Sequence, residues 1–176
     1  SKSFQRWEKA KEFMPGGNTR TVLHYDPFPI AMVSGKGTYI ESLDGDKYTD
    51  FLGEYSAGLY GHSNKKINIA LKNAIDLGLS LGAPNQWESP LAEEICFRFP
   101  SIEKVRFTNS GTEANLMAIG AARAYTGREK IMVFDGGYHG GVLYFKEGHS
   151  SVNAPYQFIK VPYNDQEKAI SQTKGN

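Results

Sequence analysis

Residues 108–115 read Thr108-Asn109-Ser110-Gly111-Thr112-Glu113-Ala114-Asn115, and the fold turns on this stretch. Before it, the run KVRFT at 104–108 alternates apolar and polar side chains, the pattern of a strand. After it, residues 113–125 carry helix-forming residues at helical spacing. The octapeptide is therefore a turn that leaves a strand and opens a helix. The first amides of a helix have no partner within it and carry positive partial charge, so they receive anions, phosphate above all. Gly111 would let the backbone approach a ligand closely, and Ser110 and Thr112 add hydroxyl donors. The spacing Ser110-x-x-Glu113 equally fits a capping box that only closes the helix end.

Working outward, a second strand is expected at 130–134, ending in Phe134-Asp135-Gly136-Gly137-Tyr138-His139-Gly140-Gly141. Ligands in open α/β sheets bind beyond the C-terminal ends of strands. Two successive strand ends would thus present an anion cradle and, beside it, an aromatic on a glycine-rich turn. Tyr138 offers a flat face for a ring and His139 a polar edge. Alternatively, the glycines merely permit tight turns and Tyr138 packs locally. A further strand is expected at 157–161. Strand, helix, strand in this order predicts an α/β fold with a parallel sheet and right-handed crossovers, 104–108 running parallel to 130–134.

Upstream the pattern differs. A helix over 3–13 stops at Met14-Pro15-Gly16-Gly17, and a loop follows to Pro29. Short β-like runs at 30–34, 38–42 and 47–51, the last two joined through Asp44-Gly45, predict an antiparallel meander. Ile67, Leu71, Ala74 and Ile75, and then Leu91, Ile95 and Phe99, recur at helical spacing. The expected organisation is an accessory segment over 1–50 and the first part of a large domain over 51–176. Three strand candidates are few for a parallel sheet, and 171–176 is polar with no closing element. A fragment is expected.

Composition narrows the function classes. Lys and Arg number 20 against 19 Asp and Glu, so no basic surface for nucleic acid is implied. No apolar run has the length of a membrane span. Residues 1–12 alternate charge with Phe4 and Trp7, an amphipathic helix and not a leader peptide. Cys96 is the single cysteine, read as a small buried hydrophobe; without a second, no internal disulfide forms, which points to the cytoplasm. Neither zinc-binding nor P-loop motifs occur, so no metal site is expected. His62 is expected to anchor a turn, and His24 and His149 to be structural or exposed.

Strand-Asn-Ser-Gly-Thr-Glu-Ala-helix, followed about two dozen residues later by strand-x-Gly-Tyr-His-Gly, resembles the class III aminotransferases. The resemblance is to the branch holding the glutamate-1-semialdehyde aminomutases. Met14-Pro15-Gly16-Gly17-Asn18, Asp44-Gly45-Asp46, Gly61-His62, Gly82-Ala83-Pro84 and Tyr125-Thr126-Gly127-Arg128 carry it along nearly the whole chain, which would be about the first two-fifths of such an enzyme. The resemblance implies fold type I, incomplete here, with pyridoxal 5′-phosphate (PLP) as cofactor and a homodimer. Ser110, Gly111 and Thr112 would hold the cofactor phosphate; Tyr138 would stack on its ring, with His139 adjacent. The lysine that bonds the cofactor and the aspartate that pairs with its ring nitrogen would lie beyond Asn176. This chain alone is accordingly expected to be inactive.

The loop Asn18-Thr19-Arg20-Thr21-Val22-Leu23 lacks the proline insertion of the aminomutases, and Asp135 stands where they carry Glu. With Asp26-Pro27-Phe28-Pro29 and residues 53–62, it looks more like the β-amino-acid aminotransferases of the same branch. Arg20 would then clamp a substrate carboxylate, with Tyr55 lining the pocket. The expected substrates are an amino acid and a keto acid or aldehyde. An aminomutase-like isomerase is the alternative within the branch. A non-catalytic phosphate-binding module is the alternative outside it.

Overall fold

The computed structural model describes residues 1–148 and 150–173. His149 thus lies outside the described residues. The chain divides into two compact units, Ser1–Pro84 and Asn85–Asn176.

In the first unit, helix α1 (Lys2–Ala10) is capped twice. The Ser1 hydroxyl accepts from the Phe4 amide, and the Asp44 carboxylate, far along the chain, accepts from the amides of Lys2 and Ser3. An anion at a helix N-terminus is favourable, and the hydrogen bonds from Ser3, chief among them its hydroxyl, hold the Asp44 carboxyl below its ordinary pKa. Trp7 donates to the Gly16 carbonyl at 3.0 Å and packs among Phe4 and Phe28. A Cβ on Gly17 would fall 2.6 Å from the indole, so the glycine is what lets the chain wrap this ring.

The meander forms as expected: β1 (Met32–Lys36), β2 (Tyr39–Ser42) and β3 (Lys47–Thr49) pair antiparallel in that order. Ser42 closes the Asp44-Gly45 turn by accepting the Asp46 amide on its hydroxyl, and Ser3 accepts the Ala31 amide. Helix α2 (Lys65–Leu77) follows, its first amides bound by the Asn64 side chain.

In the second unit come α3 (Glu88–Arg98), α4 (Gly111–Thr126), β4 (Lys130–Phe134), β5 (Gln157–Val161) and α5 (Gln166–Thr173). β4 and β5 pair in parallel, Lys130 opposite Gln157 through Phe134 opposite Val161. Among the described residues, their connection over 135–156 is irregular and includes a short 3-10 turn. The buried apolar side chains among the described residues, Val133, Leu143, Phe145 and Val161, all belong to this unit. Leu116 and Ile119 of α4 pack against the cluster of Val133, Leu143 and Phe145, together with Ile131 and Phe158.

One element departs from expectation. Residues 104–108 form no strand. A strand is defined by its ladder, and 104–108 joins none: the sheet of this unit consists of β4 and β5 alone among the described residues, so an alternating pattern without a paired partner stays irregular. Cys96 is half-buried, not fully buried as expected, because the flanks of α3 lie open: Phe97 is 79% exposed. None of the helices among the described residues is long and apolar enough to cross a membrane.

Candidate functional site

The octapeptide does what its spacing predicts, with one modification. Ser110 is the extended N-cap of α4, and its hydroxyl accepts from the Glu113 amide at 3.2 Å. The Glu113 carboxylate reaches back to the Asn109 amide at 2.7 Å, one residue earlier than in the usual capping box. The cap therefore exists. It uses only some of the donors at this helix end: the amides of Gly111 and Thr112 lie in the first turn, where no carbonyl of the helix can reach them. A Cβ built on Gly111 meets nothing within 4 Å, so the space beside the first helical residue is open. Capping and anion binding are thus compatible here.

The glycine-rich turn is drawn against the same helix. Thr112 Oγ1 accepts from the Gly141 amide at 3.1 Å, and Asn115 donates to the His139 carbonyl at 2.8 Å. Gly140 has φ +123°, and a Cβ there would lie 2.3 Å from Thr112 Oγ1; only glycine permits this approach.

From the turn the chain doubles back. His139 donates its amide to the Leu143 carbonyl, and Phe145 donates to that of Gly137. This places Tyr138 opposite Tyr144, their rings edge to face at 5.2 Å. Asn153 braces Tyr144 by accepting its amide and donating to its carbonyl, both at 2.8 Å. Tyr138 remains 54% exposed, its ring held by neighbours yet open to solvent. The His139 ring borders a small cavity behind the turn, with Asn115 and Phe145.

Ser110, Gly111, Thr112, Tyr138 and His139 are thus brought together in the second unit. Asn115 and Asn153 were missed as its braces. Asn115 had a signal, being a polar residue on the same face of α4 as Leu116 and Ile119; Asn153 sits in an irregular segment and had none.

Arg20 and Tyr55 lie in the first unit, on two loops that touch. Arg20 pairs with the Glu54 carboxylate, and the Tyr55 hydroxyl donates to the Val22 carbonyl at 3.4 Å. Residues 53–56 turn left-handed, Glu54, Tyr55 and Ser56 having φ of 50°, 53° and 81° without being glycine. Such a turn costs on the order of 1–2 kcal/mol per residue and persists only where its surroundings impose it.

Asp50 helps impose it. One oxygen accepts the amides of Leu52 and Gly53, each at 2.9 Å, and the other meets His62 Nε2 at 2.7 Å. The Gly53 amide and then His62 hold this carboxyl below its ordinary pKa. The His62 backbone pairs in both directions with Gly37, so His62 does anchor a turn. His24 lies beside Trp7, ring centroids 6.5 Å apart. Among the described residues no cluster of His, Cys, Asp and Glu could hold a metal ion.

The family model described as aminotransferase class-III matches residues 22–175. The chain is 49% identical over 170 residues to a β-phenylalanine transaminase of Variovorax paradoxus, covering 97% of this chain and 39% of that protein. It is 38% identical over 194 residues to a glutamate-1-semialdehyde 2,1-aminomutase of Heliobacterium modesticaldum, covering 99% and 44%. The crystal structure of a β-phenylalanine aminotransferase from V. paradoxus superposes with a TM-score of 0.93 at 48% identity, over 98% of this chain and 40% of that one. The chain thus spans about two-fifths of the length of the curated relatives it matches, and its α/β architecture is part of a fold type I transaminase. It belongs to the class III aminotransferases, a PLP-dependent enzyme family.

Proposed function

We propose that this chain is the N-terminal portion of an enzyme that moves an amino group from a β-amino acid to a keto-acid or aldehyde acceptor. In this reading residues 1–50 are its accessory segment and 51–176 the beginning of its cofactor domain, and the complete enzyme is a cytoplasmic homodimer. Large apolar side chains left open on the helices, Tyr125 at 93% and Phe97 at 79%, are consistent with further protein covering them.

The observation that carries the proposal is the open, glycine-lined end of α4 beside a braced, exposed tyrosine. The Gly111 and Thr112 amides and the Ser110 and Thr112 hydroxyls suit the three acceptor oxygens of a phosphate monoester. Tyr138 suits an aromatic ring joined to that phosphate, with His139 beside it. When bound, PLP supplies an electron sink for the carbon that bears the amine. This segment would orient it; Arg20, with Tyr55 beside it, would grip the carboxylate of the donor.

The β-amino-acid preference rests on the likeness to the V. paradoxus enzyme and on the Arg20 loop. The test is to incubate the complete enzyme with β-phenylalanine and a 2-oxo acid, and separately with glutamate-1-semialdehyde. Formation of the new amino acid in the first mixture is expected. Isomerisation in the second alone would favour the aminomutase reading, and activity in neither a binding module. Residues 1–176 alone are expected to give no turnover, since the segment supplies a cofactor cradle without the lysine the family uses.

A further inference from the structure

The Arg20–Glu54 pair raises a question that the carboxylate-clamp reading leaves open. If Arg20 receives a substrate carboxylate, its guanidinium already holds one from this chain. Both side chains are about half exposed, 46% for Arg20 and 50% for Glu54, so the pair is open to exchange with solutes. Its geometry is not casual. Glu54 is the second residue of the left-handed turn at 53–56, and that conformation is disfavoured for a glutamate. The turn is fixed at its base by Asp50 and closed by the Gly58 amide on the Gly53 carbonyl at 2.8 Å. Tyr55, next in sequence, ties it to the Arg20 loop through Val22. Strain of this kind collects at sites where a side chain must be presented in one direction.

From this we infer that Glu54 is a specificity-determining residue: its carboxylate holds the Arg20 fork in place of a substrate carboxylate and is displaced when the donor binds. The inference rests on the reading of Arg20 as the carboxylate clamp. Replacing one carboxylate by another leaves the charge on the guanidinium compensated throughout, so the exchange is cheap. A donor without a carboxylate leaves the internal pair intact, and Arg20 is never left without its anion. Glu54 therefore weakens binding of every carboxylate donor by the strength of the internal pair. An exposed pair of this kind corresponds to about a two- to fivefold effect.

The test uses the complete enzyme and 3-phenylpropanoate, a carboxylate without an amine, titrated by calorimetry. Glu54→Gln keeps the side-chain size and removes the charge. The dissociation constant for 3-phenylpropanoate is expected to fall about two- to fivefold. KM for β-phenylalanine should fall in parallel with kcat little changed, and KM for 1-phenylethylamine, which has no carboxylate, should not move. A rise in the 3-phenylpropanoate constant would mean that Glu54 positions Arg20 for the substrate, which overturns the inference; an unchanged constant overturns it as well. Arg20→Gln separates the two levels. If it weakens 3-phenylpropanoate binding while Glu54→Gln fails to strengthen it, the clamp reading stands and the competitor role falls. If Arg20→Gln has no effect, both fall.

Discussion

The two units solve the problem of holding a functional loop in opposite ways. In Ser1–Pro84 the buried side chains are polar: Ser3 and Ser42 are each 1% exposed. The unit is tied by hydroxyl and carboxylate hooks, with Ser3 on Ala31, Ser42 on Asp46, Asp44 on α1 and Asp50 on the 52–53 amides and His62. In Asn85–Asn176 the buried side chains among the described residues are apolar, and α4 and the sheet pack on Val133, Leu143 and Phe145, with Thr112, Asn115 and Asn153 adding polar braces only at the turn. The proposed cofactor cradle thus sits at the ends of packed elements, whereas the Arg20 and Tyr55 loops sit on hooks. A cradle that must present amides to one anion gains from rigidity. A loop that is to exchange one carboxylate for another, as we infer for Arg20, would gain from contacts that are individually weak.

The largest effect should come from the apolar side. Leu143 is 1% exposed, and its carbonyl receives the His139 amide. Leu143→Ala should cost about 2–5 kcal/mol, the range for emptying a buried leucine site. It should also loosen the Tyr138 turn, seen as faster hydrogen exchange over 137–145. An effect below about 1 kcal/mol would show that this cluster is not the fixed point of the unit.

The hooks should instead respond to acid. Because the folded Asp50 carboxyl is held below its ordinary value of 3.8, the stability it adds is fully present above that value. As the pH falls further, the unfolded chain takes up its proton first, and the contribution is lost as the folded carboxyl itself protonates. Exchange of the Leu52 and Gly53 amides, corrected for its intrinsic pH dependence, should therefore speed up below about pH 4. Asp50→Asn should show severalfold faster exchange at neutral pH and lose the acid response. Retention of that response in the variant would assign it to another group.

What the sequence made legible follows the same division. Periodicity and turn chemistry are local, so α4 with its cap, β4, β5 and the Asp44-Gly45 hairpin could be read directly. Residues 110–112 were readable as a helix start because a helix start is a local event. Residues 104–108 have a strand's alternation but no ladder, since a ladder depends on a partner that no local pattern supplies. The hooks were hidden for a related reason. Asp44 on α1, Asp50 on His62 and Glu54 on Arg20 join residues 12 to 42 positions apart through one or two polar contacts, which leave no period. The left-handed turn at 53–56 was least visible, because glutamate, tyrosine and serine ordinarily avoid that conformation.

The central claim, that the open end of α4 receives the cofactor phosphate, can be tested at a position where fold and binding separate. A Cβ on Gly111 meets nothing within 4 Å in this chain, so Gly111→Leu is compatible with its local fold, and the circular dichroism spectrum and melting temperature of the complete apoenzyme check that the whole fold persists. The same side chain would stand where the phosphate approaches the amides. Titration with PLP, followed by absorbance, should then show affinity reduced about 10- to 100-fold, the loss of one or two charge-assisted hydrogen bonds. An intact fold with PLP affinity within twofold of the wild type would contradict the account.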